Sequence, residues 1–347
     1  MKILYGVQGT GNGHIARARA MSNALCQYDV QVDFLFSGRN KAKYFSMEPF
    51  GDYETRNGLS FVTENGRVNY LKTVMTNSLP CFINEVRALD VSGYDLVVND
   101  FEPVSAWAAK RQRVPTVSIS HQNAFLFDVP KKGANWFDDA IIQHFAPSQY
   151  QLGLHWYHFD QPIMPPIVQT AAHTVTSEDF VLVYLPFEAT SAIVDLLLRF
   201  GNRRFVCYHP DNPERQQVEN ILMMPLSHDA FQRDLHRCAG VIANGGFELP
   251  SEALSLGKKL LVKPLSGQFE QQSNAATLET LGLAQSMDFL DASVIRDWLD
   301  EKQAERVSYP NVADDIAAWL INGNWECTSQ LRQQLWDKVD FPSYAAV

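Results

Sequence analysis

The chain has 347 residues, 46% of them hydrophobic and 20% charged. That is an ordinary globular balance, and it is more chain than one core usually organises, so two domains are expected. The five cysteines are scattered and form no CxxC pair, which excludes a disulfide framework and a cysteine-rich zinc site, and the net charge of −10 excludes nucleic acid as the main partner. The charge is unevenly placed. Residues 1–165 carry 15 basic and 15 acidic side chains, whereas residues 166–347 carry 14 basic and 24 acidic. An anion bound by the second half must therefore be held by local geometry. The apolar opening stretch ends at Val7, and no run approaches the roughly 18 apolar residues of a membrane helix. A cytoplasmic protein without signal peptide or transmembrane segment is expected, with membrane contact at most peripheral.

Lys2–Val7 reads as a buried strand. Gly9, Gly11 and Gly13 punctuate, and His14–Leu25 follows with Ile15, Ala18, Met21 and Leu25 at helical spacing. Gln31–Phe36, Asp95–Val98 and Pro115–Ile119 read as further strands, and Ala106–Arg111 as a helix. In the stretch Tyr44–Leu89 the aromatic and aliphatic side chains Phe45, Phe50, Tyr53, Phe61, Tyr70, Leu71 and Phe82 read as core and not as a lipid groove. Around Gln161–Val175 the periodicity lapses and Pro162, Pro165 and Pro166 crowd together, the mark of a linker. The alternation then restarts. Phe180–Leu185, Phe205–Tyr208, Ile221–Met224, Val241–Ala243 and Leu260–Val262 read as strands. Ala189–Phe200, Asp229–Cys238, Glu248–Leu256 and Phe269–Leu281 read as helices, and Asp314–Leu320 and Ser329–Val339 as closing helices. Two successive α/β units follow, over 1–165 and 166–347, with ligands expected outside the carboxyl ends of their parallel strands.

Three strand–loop–helix junctions carry chemistry. In Gly9-Thr10-Gly11-Asn12-Gly13-His14, glycines let backbone approach a ligand, and the helix behind them favours negative charge. A neutral imidazole at His14 can accept a proton. A dinucleotide reading of this loop finds Ser37-Gly38-Arg39 where NAD wants an acid, so NADP would be the cofactor. In Asn244-Gly245-Gly246-Phe247-Glu248-Leu249-Pro250-Ser251-Glu252, free N–H groups at the helix start make a diphosphate seat without basic side chains. Glu252, about one turn in, suits the hydroxyls of a ribose. In Ser266-Gly267-Gln268-Phe269-Glu270-Gln271, a carboxylate beside an amide suits the hydroxyls of a sugar.

The segment Asn244–Ala275 resembles the donor-site signature of GT-B glycosyltransferases, both those of plant and macrolide type and the peptidoglycan N-acetylglucosaminyltransferase of family 28. Asn244, Gly246 and Glu252 match its spacing of diphosphate and ribose residues. Glu270, Gln271, Asn274 and Ala275 match its sugar-binding run. The glycine loop is similar to that of the same families, which implies His14 as the base and Gly11 and Gly13 beside the donor. Asp100 resembles the aspartate that orients that base. His121-Gln122-Asn123 is similar to an acceptor-side run of the peptidoglycan enzyme, one residue shorter. Pro165-Pro166-Ile167 resembles the linker of the group. The sequence departs from the pattern at Asn244, where many relatives have histidine, and Phe231 stands as the candidate to stack on a uracil.

The resemblance implies an α/β GT-B fold, two Rossmann-like domains facing across a cleft, with a last helix at about 326–347 packing back on the first. It implies a metal-independent, inverting enzyme without cofactor. The donor would be a UDP-sugar such as UDP-N-acetylglucosamine or UDP-glucose, bound through Asn244–Leu249, Glu252, Glu270 and Gln271. The acceptor would be a small molecule, glycan or lipid-linked sugar. The rival expectations are an NADP-dependent oxidoreductase, a UDP-sugar epimerase and a catalytically silent nucleotide-sugar-binding partner.

Overall fold

The computed structural model describes residues 1–60, 63–64, 67–68, 78–133, 136–169 and 173–347. Phe61, Tyr70 and Leu71 and the linker residues 170–172 lie outside them. Among the described residues there are two seven-stranded sheets and one two-stranded ribbon. The first large sheet runs Glu54–Arg56, Gln31–Ser37, Lys2–Gln8, Leu96–Asp100, Thr116–Ser120, Tyr150–Leu154, Ile163–Met164. All its pairings are parallel. The second runs Gln216–Val218, Ile221–Met224, Phe205–Tyr208, Val181–Tyr184, Gly240–Asn244, Lys259–Lys263, Gln285–Ser286. Only its first pairing is antiparallel.

The fold class expected from the sequence is the one observed, because buried runs such as Leu96-Val97-Val98, apolar on both faces, belong to sheets covered by helices on both sides. In each sheet the strand order reverses once near the middle. In the first this happens between Lys2–Gln8 and Leu96–Asp100, and in the second between Val181–Tyr184 and Gly240–Asn244. Loops at such a reversal turn away from each other and leave a crevice at the carboxyl edge. The two crevices face one another.

One apolar core joins the domains. It runs from Ile3, Val7, Ile15 and Met21 through Ile316 and Leu320 to Val241, Leu254 and Val262. Two further clusters cover the outer faces of the two sheets. Phe50 sits in this core, its ring edge-on to Phe34 and Phe36 at 4.9 Å each. The Phe45 side chain, by contrast, lines the interdomain cleft. The packing-back of the C-terminal region begins earlier than the expected 326. The helix Val312–Asn322 already lies on the Asn12–Leu25 helix, with Gln27 Nε2 3.2 Å from Asp314 Oδ1. The last helix, Ser329–Trp336, donates from Trp336 Nε1 to Ile163 O (2.7 Å) and from Arg332 Nη1 to Gln161 O (3.0 Å). Among the described residues no helix is long and apolar enough to cross a membrane.

Candidate active site

A cleft of about 930 Å³ separates the domains, at the upper end of small-ligand sites. Its floor on one side is the glycine loop. Gly9 lets the loop approach the Tyr44 ring closely, since a Cβ there would run into the Tyr44 hydroxyl. Gly11 is the N-cap of the Asn12–Leu25 helix and offers no side-chain cap, so the first-turn N–H groups stay open to a ligand. A Cβ added to Gly13 would stand 3.4 Å from Glu248 of the other domain. Arg39 lines the cleft beside the glycine loop, with two of its donors engaged in its own domain. It donates to Asn12 Oδ1 (3.0 Å) and Thr10 O (2.9 Å) and holds the loop in place.

His14 and Asp100 come together because their strands are neighbours: Val7 and Asp100 are register partners across the reversal point. His14 Nδ1 lies 2.8 Å from Asp100 Oδ1, which leaves Nε2 for the cleft. Asp100 is fully buried. Burial pushes its carboxyl up, and the nearby Arg17 and His14 outweigh this, so its pKa falls below the usual range. Arg17 donates from Nε and Nη2 to the two Asp100 oxygens, each at 2.8 Å, and from Nη1 to Glu248.

The opposite floor is the Glu248–Ser255 helix, whose N-cap Phe247 offers no side-chain cap. Gly245 and Gly246 are there for different reasons. A Cβ on Gly245 would stand 2.8 Å from Gln271 O, whereas one on Gly246 would meet nothing within 4 Å. Asn244 donates to Lys263 O (2.9 Å), while its buried Oδ1 has no partner among the described residues. Leu249 lines the cleft. Burial pushes Glu248 up to about 7, against the pull of Arg17 and His14.

Gln271 Oε1 accepts from Leu265 N–H (3.0 Å) and so shapes its own loop. Glu270 Oε2 accepts from Gln122 Nε2 (3.0 Å), which links the expected sugar and acceptor sides. The rest of the His121–Asn123 run is turned inward. Asn123 ties together Ser118 and Leu152 inside the first domain and does not line the cleft. His121 is wedged between the domains, with Nδ1 2.8 Å from Leu154 O and Nε2 2.6 Å from Asn274 Oδ1, and its ring lies flat on Phe247 at 3.9 Å. Burial lowers its pKa.

The structure does not bring two expected residues into the cleft. Glu252 accepts from Gln232 Nε2 (3.0 Å) and lines a separate cavity of about 150 Å³ with Gln169, His236 and Tyr309. Phe231 packs edge-on against Tyr184 (5.4 Å) and Tyr208 (5.2 Å). Glu252 sits on a helix face turned towards the neighbouring His228–Arg237 helix and Phe231 on one turned onto the second sheet, which sequence spacing alone does not show.

The sequence profile of glycosyl transferase family 1 matches residues 1–302. The chain belongs to that family. Solved structures agree on the fold. The spinosyn rhamnosyltransferase SpnG superposes over 96% of this chain and 100% of its own, with a TM-score of 0.60 at 14% identity. SsfS6 from Streptomyces sp. SF2575, complexed with thymidine diphosphate, covers 87% and 92% with a TM-score of 0.57 at 12% identity. MurG of Acinetobacter baumannii covers 96% and 95% with a TM-score of 0.50 at 16% identity. No curated protein sequence matches the chain. The glycosyltransferase is of GT-B type, and the oxidoreductase reading falls with the family match. In this glycosyltransferase the side chain that motif reading passed over is Arg17. Its signal in the sequence was slight: one of two arginines in the helix, one turn after His14 on the same face.

Proposed function

We propose that this glycosyltransferase moves a sugar from a pyrimidine nucleoside diphosphate donor to a hydroxyl acceptor in one displacement that inverts the anomeric carbon. The observation that carries the reading is the pairing of His14 with buried Asp100 directly across the cleft from the uncapped Glu248–Ser255 helix. His14 Nε2 takes the acceptor proton. Asp100 on the far nitrogen fixes the tautomer and supports the imidazolium that forms. The first-turn N–H groups of Phe247, Glu248 and Leu249 meet the charge of the leaving diphosphate, while the Gly246 N–H is engaged by Asn244 O (2.8 Å).

In this reading the diphosphate charge is met by N–H groups and the helix dipole, so chelator-treated protein keeps its turnover. Asn244 Oδ1, Glu270 and Gln271 line the donor half and read the donor sugar. Glu252, outside the cleft, is left out of donor recognition. UDP-sugars and TDP-sugars are the donor classes, the second because the SsfS6 structure holds thymidine diphosphate. On the first-domain side Phe45, Phe101, Phe125, Ile141 and Ile142 line part of the wall, beside polar side chains such as Lys43, Gln122 and Asp138. The apolar part supports an acceptor whose hydroxyl sits on an apolar body.

The test has two stages. Thermal shifts with UDP, TDP, GDP and NADP rank the nucleotides, since a ligand of the native state stabilises it by mass action. A proton NMR assay of sugar release from the best donor then reads the anomer formed first. Stabilisation by NADP alone, or a product that keeps the donor's configuration, would overturn the proposal.

A further inference from the structure

Arg17 follows His14 by three residues on the Asn12–Leu25 helix, so both project from one face. Its side chain is 1% exposed. Burial of a guanidinium opposes its charge, and the Asp100 and Glu248 carboxylates outweigh that, so Arg17 stays charged. It spends two donors on Asp100 and one on Glu248. Asp100 Oδ1 accepts from Arg17 Nη2 and from His14 Nδ1 at the same distance, 2.8 Å. The two nitrogens stand 3.1 Å apart because both are donors converging on one oxygen. The planar guanidinium fork sets the plane of the carboxylate. The carboxylate in turn sets the ring of His14. The remaining arm of the fork reaches a residue of the other domain, the first in the helix of the diphosphate seat.

We propose that Arg17 is a positioning residue that couples the seating of the donor domain to the His14–Asp100 dyad. With the domains closed, Glu248 holds Nη1 and the fork is fixed on Asp100. When the cleft opens, Glu248 leaves and the guanidinium loses the partner that balances it. His14 then faces Asp100 under a cation that nothing on the other side offsets. The dyad is thus tuned for proton transfer only in the closed enzyme. This inference rests on the reading of His14 as the base. The charged and titratable groups facing the dyad are Tyr5 from the first strand, Arg17 from the helix of His14 itself, Glu248 from the donor-domain helix, and Glu270 beyond it.

The experiment follows the imidazole of His14 by carbon-13 NMR in histidine-labelled full-length protein, assigned by the signal that His14→Ala removes. It needs neither donor nor acceptor. Arg17→Met removes the cation and should raise the His14 titration midpoint by about one pH unit, the scale of a charge a few Å away. Glu248→Gln keeps an acceptor for Nη1 and removes from the other domain a carboxylate whose charge burial already weakens. It should lower the same midpoint by a smaller amount. If Arg17→Met does not fold, Glu248→Gln carries the test alone. Midpoints that stay at the wild-type value, or move together in one direction, would overturn the coupling, even if both variants melt early as a purely structural arginine would require. The functional reading fails separately, if His14→Ala transfers sugar at the native rate.

Discussion

The two helix starts that face each other across the cleft are built alike and charged in opposite ways. Both follow a strand at the reversal point of a parallel sheet, and both lack a side-chain cap. The first presents His14 and Arg17 at i and i+3, the second Glu248 and Glu252 at i and i+4. Helix geometry puts each pair on one face, yet only three of the four side chains meet. Glu252 turns to Gln232 and a second cavity. In the proposed reading, equivalent local structure therefore serves different chemistry: a proton acceptor held by buried charges on one side, and an anion seat of bare N–H groups on the other.

The comparison predicts that damage to the first helix start should stop turnover and spare the donor. His14→Ala should lose on the order of 10²–10⁴ in turnover while binding UDP or TDP as the wild type does. Calorimetry and rate measured on one preparation check both halves. A parallel fall in donor affinity would mean that the histidine belongs to the seat.

The two glutamates of the second helix start should differ in kind. Burial raises Glu252 to about 7, tempered by Gln232 and Arg19. Its folded value lies above its unfolded one, so the native state holds the proton more tightly. Stability from this group is therefore present below about pH 4.5 and is lost as pH rises towards 7. The loss is at most about 3 kcal/mol from the size of the shift. Glu252→Gln should flatten that part of the stability curve and leave nucleotide affinity unchanged. Denaturant titrations at pH 5 and pH 8 read the first, and weakened UDP binding in the variant would return Glu252 to the donor site.

The paired glycines sharpen the contrast between packing and ligand approach. Gly245→Ala should cost about 1–3 kcal/mol of stability, because its methyl group would press on Gln271 O. Gly246→Ala, with open space around it, should leave the melting temperature alone and weaken nucleotide binding about tenfold. Equal melting temperatures for the two variants would erase the distinction.

The smallest effect is expected at the contact between the two walls. Glu270→Gln keeps a partner for Gln122 and removes the charge, and should cost about 1 kcal/mol in discrimination between donor sugars without changing affinity for free UDP. Competition between two UDP-sugars measures it, and a fall in free UDP binding would place Glu270 against the nucleotide.

The sequence by itself determined the two α/β units, the three strand–loop–helix junctions and the residues that begin them. Those features are local: apolar runs make strands, glycines permit close approach, and uncapped helix starts leave N–H groups free. The place of His14, Asn244, Gly246 and Glu270 on the cleft was legible on that basis. The outward or inward turn of a side chain one or two helical turns further on was not, and so Glu252 and Phe231 read as cleft residues when the first packs against a neighbouring helix and the second against the sheet. Asn123 likewise read as an acceptor contact and proves a tie between strands. Nor does spacing along one chain show which helix of the other domain will cross a given face. Arg17 lies 231 residues from Glu248 in the sequence, and only the closing of two sheets, edge to edge, brings a buried cation between the carboxylate of one domain and that of the other.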